Sequence, residues 1–169
     1  MGNDKLIETL EETGDYRVLR RLRPRSCFHE PDGSNTKLAI FIDLETTGLN
    51  PETNEIIEIA MVPFEYSSDG RIFKIHEAYN ELQEPDSGSI PAEITRITGI
   101  TIDMVRGKKI DAGKVAEIAA PAALVIAHNA SFDRKFAEKA FEVFTTKAWA
   151  CSMLQVPWAE EHFDGTKLE

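Results

Sequence analysis

A chain of 169 residues with 42% apolar content is long enough to bury one ordinary core, and too short to argue for several domains. Its formal charge of −10 excludes a broad cationic surface for gripping a nucleic-acid backbone, but leaves room for an enzyme that holds a nucleic-acid end through bound cations. No apolar stretch approaches the roughly 20 residues that span a bilayer, residues 1–25 lack a signal-peptide pattern, and two cysteines in no metal or redox spacing point to a reduced, cytoplasmic setting without a membrane partner.

In chain order, Lys5 to Thr13 predicts a short helix, with Leu6, Ile7 and Leu10 at helical spacing and Gly14 as its stop. Arg17, Arg20, Arg21, Arg23 and Arg25 follow as the one basic cluster. Two readings of it stand: a solvated or packing arm that balances the acidic body, or a contact to phosphate. Ser26 to Thr36 carries Pro31, Asp32, Gly33, Ser34 and Asn35 and reads as a turn-rich linker. Residues 1–36 are therefore expected to be an extension with no core of its own, ahead of a body over 37–169.

The body opens on Leu38-Ala39-Ile40-Phe41-Ile42, a buried strand. Glu55 to Glu65 predicts a second strand, and Ser67-Ser68-Asp69-Gly70 a hairpin turn. Arg71 to Leu82 alternates and reads as one third strand. Helices are expected from Ile90-Pro91 through Ile97, over Ile102 to Arg106, and over Ala112 to Ala120, the last stopped by Pro121. Leu124 to Ala127 is a short buried strand. The next helix is expected to carry Phe132, Phe136, Ala140, Phe141 and Phe144 on one stripe, with Asn129 or Ser131 as its cap. Trp149 to Leu154 reads as one more strand, and Gly165 to Glu169 as the start of a helix. Strands first in a hairpin set, then alternating with helices, predict an α/β layer: a mixed sheet covered by helices.

Two carboxylates follow the first strand, Asp43 and Glu45, and strand alternation puts them on one side. Carboxylates at the end of an apolar strand need a partner, and a hard divalent cation such as Mg²⁺ is the simplest one. The bland alternative is a strand ending in polar residues at a turn. Thr46-Thr47-Gly48 turns the chain, with Gly48 expected to leave room for a ligand near the backbone. Asp133 falls at a helix start just past another buried strand, where it either joins those carboxylates or does ordinary work for the helix dipole.

These stretches resemble a known family. Phe41-Ile42-Asp43-Leu44-Glu45-Thr46-Thr47-Gly48-Leu49 is similar to the first motif of the DEDD 3′–5′ exonucleases, the family of the proofreading epsilon subunit of bacterial DNA polymerase III. Asn54 to Ala60 continues the match, as does Ile97-Thr98-Gly99-Ile100-Thr101, and His128-Asn129-Ala130-Ser131-Phe132-Asp133 resembles the second motif. The resemblance covers residues 37–169 and implies a ribonuclease-H-like fold. It implies hydrolysis at the 3′ end of nucleic acid by two divalent ions, Mg²⁺ or Mn²⁺. Single-stranded DNA is the first expected substrate, with RNA left open, and a DNA polymerase is a possible partner in replication and proofreading. Residue by residue it implies Asp43 bridging both ions, Glu45 on the tighter one and Asp133 acting largely through water on the second. Thr46, Thr47, Gly48 and Leu49 would line the pocket of the terminal nucleotide. Thr98, Gly99 and Ile100 would close over sugar and base, and Asn129 and Phe132 would shape the cleft. Leu49, Ile100 and Phe132 read equally well as core, and Thr98 and Asn129 as local caps.

One departure stands out. The family's third motif, a general-base His or Tyr with a fourth Asp, belongs downstream of Asp133 and past Glu169. His162 and Asp164 are too close together to supply it, and His128 is read as a structural neighbour of Asn129. The chain is therefore expected to be a piece of a longer exonuclease, with little activity of its own and some tendency to self-associate. The alternatives are a non-catalytic nucleic-acid-binding or interaction domain of the same fold, and another metal-dependent phosphoesterase.

Overall fold

The computed structural model describes residues 3–18, 23–161 and 165–166. Its centre is a six-stranded mixed sheet in the order β3-β2-β1-β5-β6, with β4 also paired to β2. β1 (Thr36–Thr46) runs antiparallel to β2 (Ile56–Ser67), which pairs in turn with β3 (Ile72–Ile75) and β4 (Tyr79–Leu82). β5 (Leu124–Ala127) and β6 (Ala148–Cys151) add to the other side of β1 in parallel.

The alternation of β1 sorts its side chains onto two faces. Ile40, Ile42 and Leu44 enter the main core with Ile59 and Met61 of β2 and Val125 and Ala127 of β5. That face is covered by α4 (Ala112–Ala119), by α5 (Ala130–Ala140) through Phe136 and Ala137, and by a 3₁₀ turn (Glu142–Phe144) through Phe144. Phe41, Asp43 and Glu45 share the opposite face, where Phe41 is 42% exposed and stacks on Phe64 with ring centroids 5.3 Å apart. A second, smaller core joins Ile57 of β2 to Ile100 and Val105, beneath α2 (Ala92–Thr98) and α3 (Ile102–Val105).

Several elements depart from the sequence pattern for physical reasons. The alternating run 71–82 is two strands, because His76 donates its backbone N–H to Pro63 at 2.9 Å and the chain then moves from the outer half of β2 to its inner half. The aromatic stripe outlasts its helix: Phe141 leaves the helical region at φ −137°, and this drops Phe144 into the core. The strand expected over 149–154 ends at Cys151, where α6 (Ser152–Gln155) begins; the Gln155 side-chain carbonyl accepts from the Cys151 N–H at 2.6 Å. Asn129 stands at the N-cap of α5, but in a left-handed conformation (φ 60°) and without a side-chain capping bond; Ser131 donates to its side chain instead, at 3.1 Å.

The N-terminal helix α1 (Asn3–Glu12) buries no residue. Beyond it the chain docks on the outer edge of the sheet: Phe28 donates to the Phe73 carbonyl at 3.1 Å and Ile75 to the Ser26 carbonyl at 2.9 Å. Arg17, Arg23 and Arg25 are exposed; Arg20, Arg21, His162 and Asp164 lie outside the described residues, as do 167–169 of the helix start expected over Gly165 to Glu169, whose described residues 165–166 form a bend with Gly165 at φ 92°. No described helix is long and apolar enough to cross a membrane.

Candidate active site

The site begins where β5 stops. β5 pairs with β1 only as far as Phe41, so the N–H of Leu44 has no strand partner on that side. Asp133, in the first turn of α5, takes it: Leu44 donates to Asp133 Oδ1 at 3.1 Å. One bond thereby ties the start of a helix to the residue between Asp43 and Glu45. Asp133 is 2% exposed. Burial, then the charge of Asp43, pushes its carboxyl up to about 7. Glu45 is raised by desolvation first, then by Asp43 and Glu58. Asp43 keeps a solvent-facing side yet is also raised, by desolvation and then by Glu58, with His128 pulling the other way.

These carboxylates stand close enough for their charges to act on one another. Among the described residues none of Asp43, Glu45 or Asp133 makes an ion pair with Lys or Arg. Nor are any three His, Cys, Asp or Glu side chains already drawn into a tight cage for an ion. The donor type is the one a hard divalent cation takes: oxygen ligands that repel one another and, among the described residues, make no ion pair with Lys or Arg.

The turn after β1 is engaged with itself. Thr46 donates to the Gly48 carbonyl at 2.6 Å, and Thr47 Oγ1 accepts from Glu55 N–H at 3.0 Å. The space beside Gly48 is filled by Asn54, whose carboxamide atoms would lie 2.8 Å from an added Cβ. Gly48 therefore serves packing of the turn, whereas an open backbone was expected there. Leu49 projects from the tip, 83% exposed. Thr98 donates to the Ile94 carbonyl at 3.0 Å and accepts from Ile100 N–H at 3.1 Å, while Gly99 ends α2 at φ 76°. Ile100 is 4% exposed, inside the smaller core, and Phe132 packs on Phe136 with centroids 5.1 Å apart. Leu49 and the exposed Asn129 thus keep free surface; the hydroxyls of Thr46 and Thr47 and the side chain of Ile100 face inward.

One residue was not singled out from the sequence, Glu58. Glu58 stands opposite Glu45 in the β1–β2 register. Its signal was an acid inside the apolar run Ile56-Ile57-Glu58-Ile59-Ala60. His128, read from the sequence as a structural neighbour of Asn129, places its ring nitrogens at 3.0 Å from Ser152 Oγ and 2.6 Å from the Thr166 carbonyl, with Trp158 edge-on at 6.3 Å.

Fold and site together define a ribonuclease-H-like α/β protein with a group of carboxylates at the end of its central strand. Residues 40–167 match the model of the RNase_T family, described as exonuclease, and the chain belongs to that family. Among curated relatives, a DNA polymerase III PolC-type from Thermotoga petrophila is 31% identical over 131 residues, covering 76% of this chain and 8% of that protein. Ribonuclease T from Haemophilus ducreyi is 26% identical over 122 residues, covering 65% of this chain and 57% of that protein. The chain therefore spans under two thirds of the length of either relative. In fold it is similar to E. coli exonuclease I, seen with an oligonucleotide and in a zinc-bound complex with single-stranded DNA; each has TM-score 0.57 and 18% identity and covers 69% of this chain and 28% of that one.

Proposed function

We propose that residues 37–169 form a 3′–5′ exonuclease unit acting on the 3′ end of single-stranded DNA, with residues 1–36 as an extension. The observation that carries this is the grouping of Asp43, Glu45 and Asp133, whose charges raise one another's proton affinity and which make no ion pair with Lys or Arg among the described residues, in a chain of an exonuclease family. Asp43 and Glu45 hold two divalent ions, Mg²⁺ or Mn²⁺, with Asp133 completing the set. When bound, such a pair activates a water and steadies the leaving oxygen in phosphodiester hydrolysis. Leu49, Asn129 and Phe132 border the terminal nucleotide, with Thr46, Thr47, Gly48, Thr98, Gly99 and Ile100 shaping the walls behind it. The polymerase named among the relatives and the oligonucleotides in exonuclease I support the choice of substrate and of a DNA polymerase as partner. The proposed setting is reduced cytoplasm, in keeping with Cys27 and Cys151 as free thiols.

Within 1–169 the family's third motif has no match, and general-base catalysis typically contributes on the order of 10²–10⁴-fold. These residues alone are therefore expected to be weakly active. End-labelled single-stranded DNA with Mn²⁺ tests this: slow shortening from the 3′ end is expected, abolished by EDTA and by Asp43→Ala. Shortening from the 5′ end would overturn the polarity, and rapid turnover would overturn the weak activity.

A non-catalytic nucleic-acid-binding domain of the same fold is the second reading. The inward-facing hydroxyls of Thr46 and Thr47 favour it, since they leave fewer groups for a nucleotide. A calorimetric titration in which neither Mg²⁺ nor Mn²⁺ binds would select it.

A further inference from the structure

Arg17, Arg20, Arg21, Arg23 and Arg25 lie in the stretch from Tyr16 to His29, which holds no acid, while the rest of the chain holds 14 basic against 29 acidic residues. An arm that served to balance the acidic body would set its guanidinium groups against carboxylates. Arg17, Arg23 and Arg25 do not: each is exposed, and none makes an ion pair among the described residues. Asp32 and Glu65, which share a pocket with Cys27, are taken by Arg71 and His76 instead. Exposed aromatics accompany the free charges. Tyr16 is 60% and Phe28 52% exposed, and the Arg25 guanidinium stands over the Phe28 ring, 5.4 Å from its centroid. Backbone bonds tie Ser26 and Phe28 to β3, and Cys27 bridges the exposed Lys74, so Arg25 and Phe28 are presented on a fixed edge of the sheet. That edge is separate from the carboxylates. Ile75, the partner of Ser26, pairs with Phe64, and Asp43 pairs with Ala60 four residues back along β2; with three strand spacings between them, Ser26 lies about 20 Å from Asp43.

We propose that the N-terminal arm is a separate binding site for single-stranded nucleic acid, in which Arg17, Arg23 and Arg25 meet phosphates and Tyr16 and Phe28 stack on unpaired bases. Guanidinium groups interleaved with half-exposed rings suit a strand whose bases are free to stack, and a duplex keeps its bases inside. An acidic protein surface would satisfy the arginines but has no use for the rings. In a chain of net charge −10 the arm is where a polyanion is attracted rather than repelled. The site uses neither metal nor Asp43, Glu45 and Asp133, so it stands or falls apart from the exonuclease reading.

The test is the binding of labelled oligothymidylate to the 169-residue chain in EDTA, followed by fluorescence anisotropy over a series of salt concentrations. A single strand gives a slope of about −0.7 in log K against log salt for each phosphate contact, so three arginines predict about −2 or steeper. Arg23→Gln/Arg25→Gln is expected to bind at least tenfold more weakly at low salt, with a slope shallower by about 1.4. Arg106→Gln/Lys114→Gln, the same change of charge away from the arm, is expected to stay within about twofold of wild type. Phe28→Ser should weaken oligothymidylate about fivefold or more and leave an abasic strand of equal length unaffected. If Arg23→Gln/Arg25→Gln does not fold, Arg17→Gln decides: a slope shallower by about 0.7 supports the proposal and an unchanged slope overturns it. The proposal is also overturned if wild type does not bind in EDTA, if the arm variant binds no more weakly than the charge control, or if Phe28→Ser weakens both strands alike. Tighter binding of a blunt duplex, or competition by polyglutamate as strong as by the oligonucleotide, overturns it too. Asp43→Ala, which removes the proposed cleavage, is expected to bind in EDTA no more weakly than wild type, so failure of either reading leaves the other in place.

Discussion

Asp133 does two jobs with one carboxylate, and they pull its protonation in opposite directions. Accepting the Leu44 N–H favours the charged form, whereas burial and the nearby charge of Asp43 favour the neutral one and prevail, holding the group near 7. An unfolded aspartate titrates at about 3.9. Between those values the native state keeps a proton that the unfolded chain has released, so this contribution to stability is complete below about pH 4 and is lost as pH rises through about 7. Thermal melts in EDTA should therefore show the protein less stable at pH 8 than at pH 5, by up to a few kcal/mol. Asp133→Asn keeps an acceptor for Leu44 and cannot ionise, so its melting temperature should be nearly flat over the same range. Asp133→Leu instead leaves a buried N–H unpaired and should cost about 1–3 kcal/mol at every pH. A wild-type profile as flat as that of Asp133→Asn would refute the assignment.

At the scale of elements, what the sequence discloses depends on whether the deciding interaction is local. β1, β5 and α5 are legible because an uninterrupted apolar run, or a 3.6-residue stripe, dictates each of them. The break between β3 and β4 is not, since alternation runs straight across it and a backbone bond to Pro63, outside the segment, makes the division. Glu58 escaped for the same reason: cross-strand register, with its irregularity between Glu45 and Thr46, is absent from any one stretch of chain. The acids of the candidate site were legible by contrast, Asp43 and Glu45 by spacing and Asp133 by motif. The inward turn of Thr46 and Thr47 was not, because their partners are set by how the loop closes. Local rules predict well where nothing overrides them, and α4 offers a check. Asp111 sits at its N-cap and accepts from Gly113 N–H at 2.8 Å and Lys114 N–H at 3.1 Å. Asp111→Ala should cost about 1 kcal/mol in denaturant melts, with the slope unchanged. A loss of several kcal/mol would mean that the cap carries tertiary structure as well.

For the whole molecule the decisive asymmetry is between the two faces of the sheet. One is sealed by α4, α5 and the 3₁₀ turn; the other offers exposed Phe41, flanked by half-buried Val62, Leu124 and Ile126 across the strand register. Uncovered apolar surface on a central strand favours association, and the proposed self-association is assigned to this face. The net charge of −10 opposes it, since each copy repels the next. The two effects respond differently to salt. Apolar burial is insensitive to moderate ionic strength, whereas charge repulsion is screened over about 10 Å at 0.1 M and about 3 Å at 1 M. Association through the Phe41 face should therefore strengthen as salt is raised, and sedimentation equilibrium at low and high salt measures this directly. Phe41→Ser should hold the protein monomeric at both, and should cost little stability because the ring is already 42% exposed. Dimers that weaken with salt, or that survive Phe41→Ser, would place the contact elsewhere, with the exposed arginines of the N-terminal arm meeting the acidic body of another copy as the charge-driven alternative.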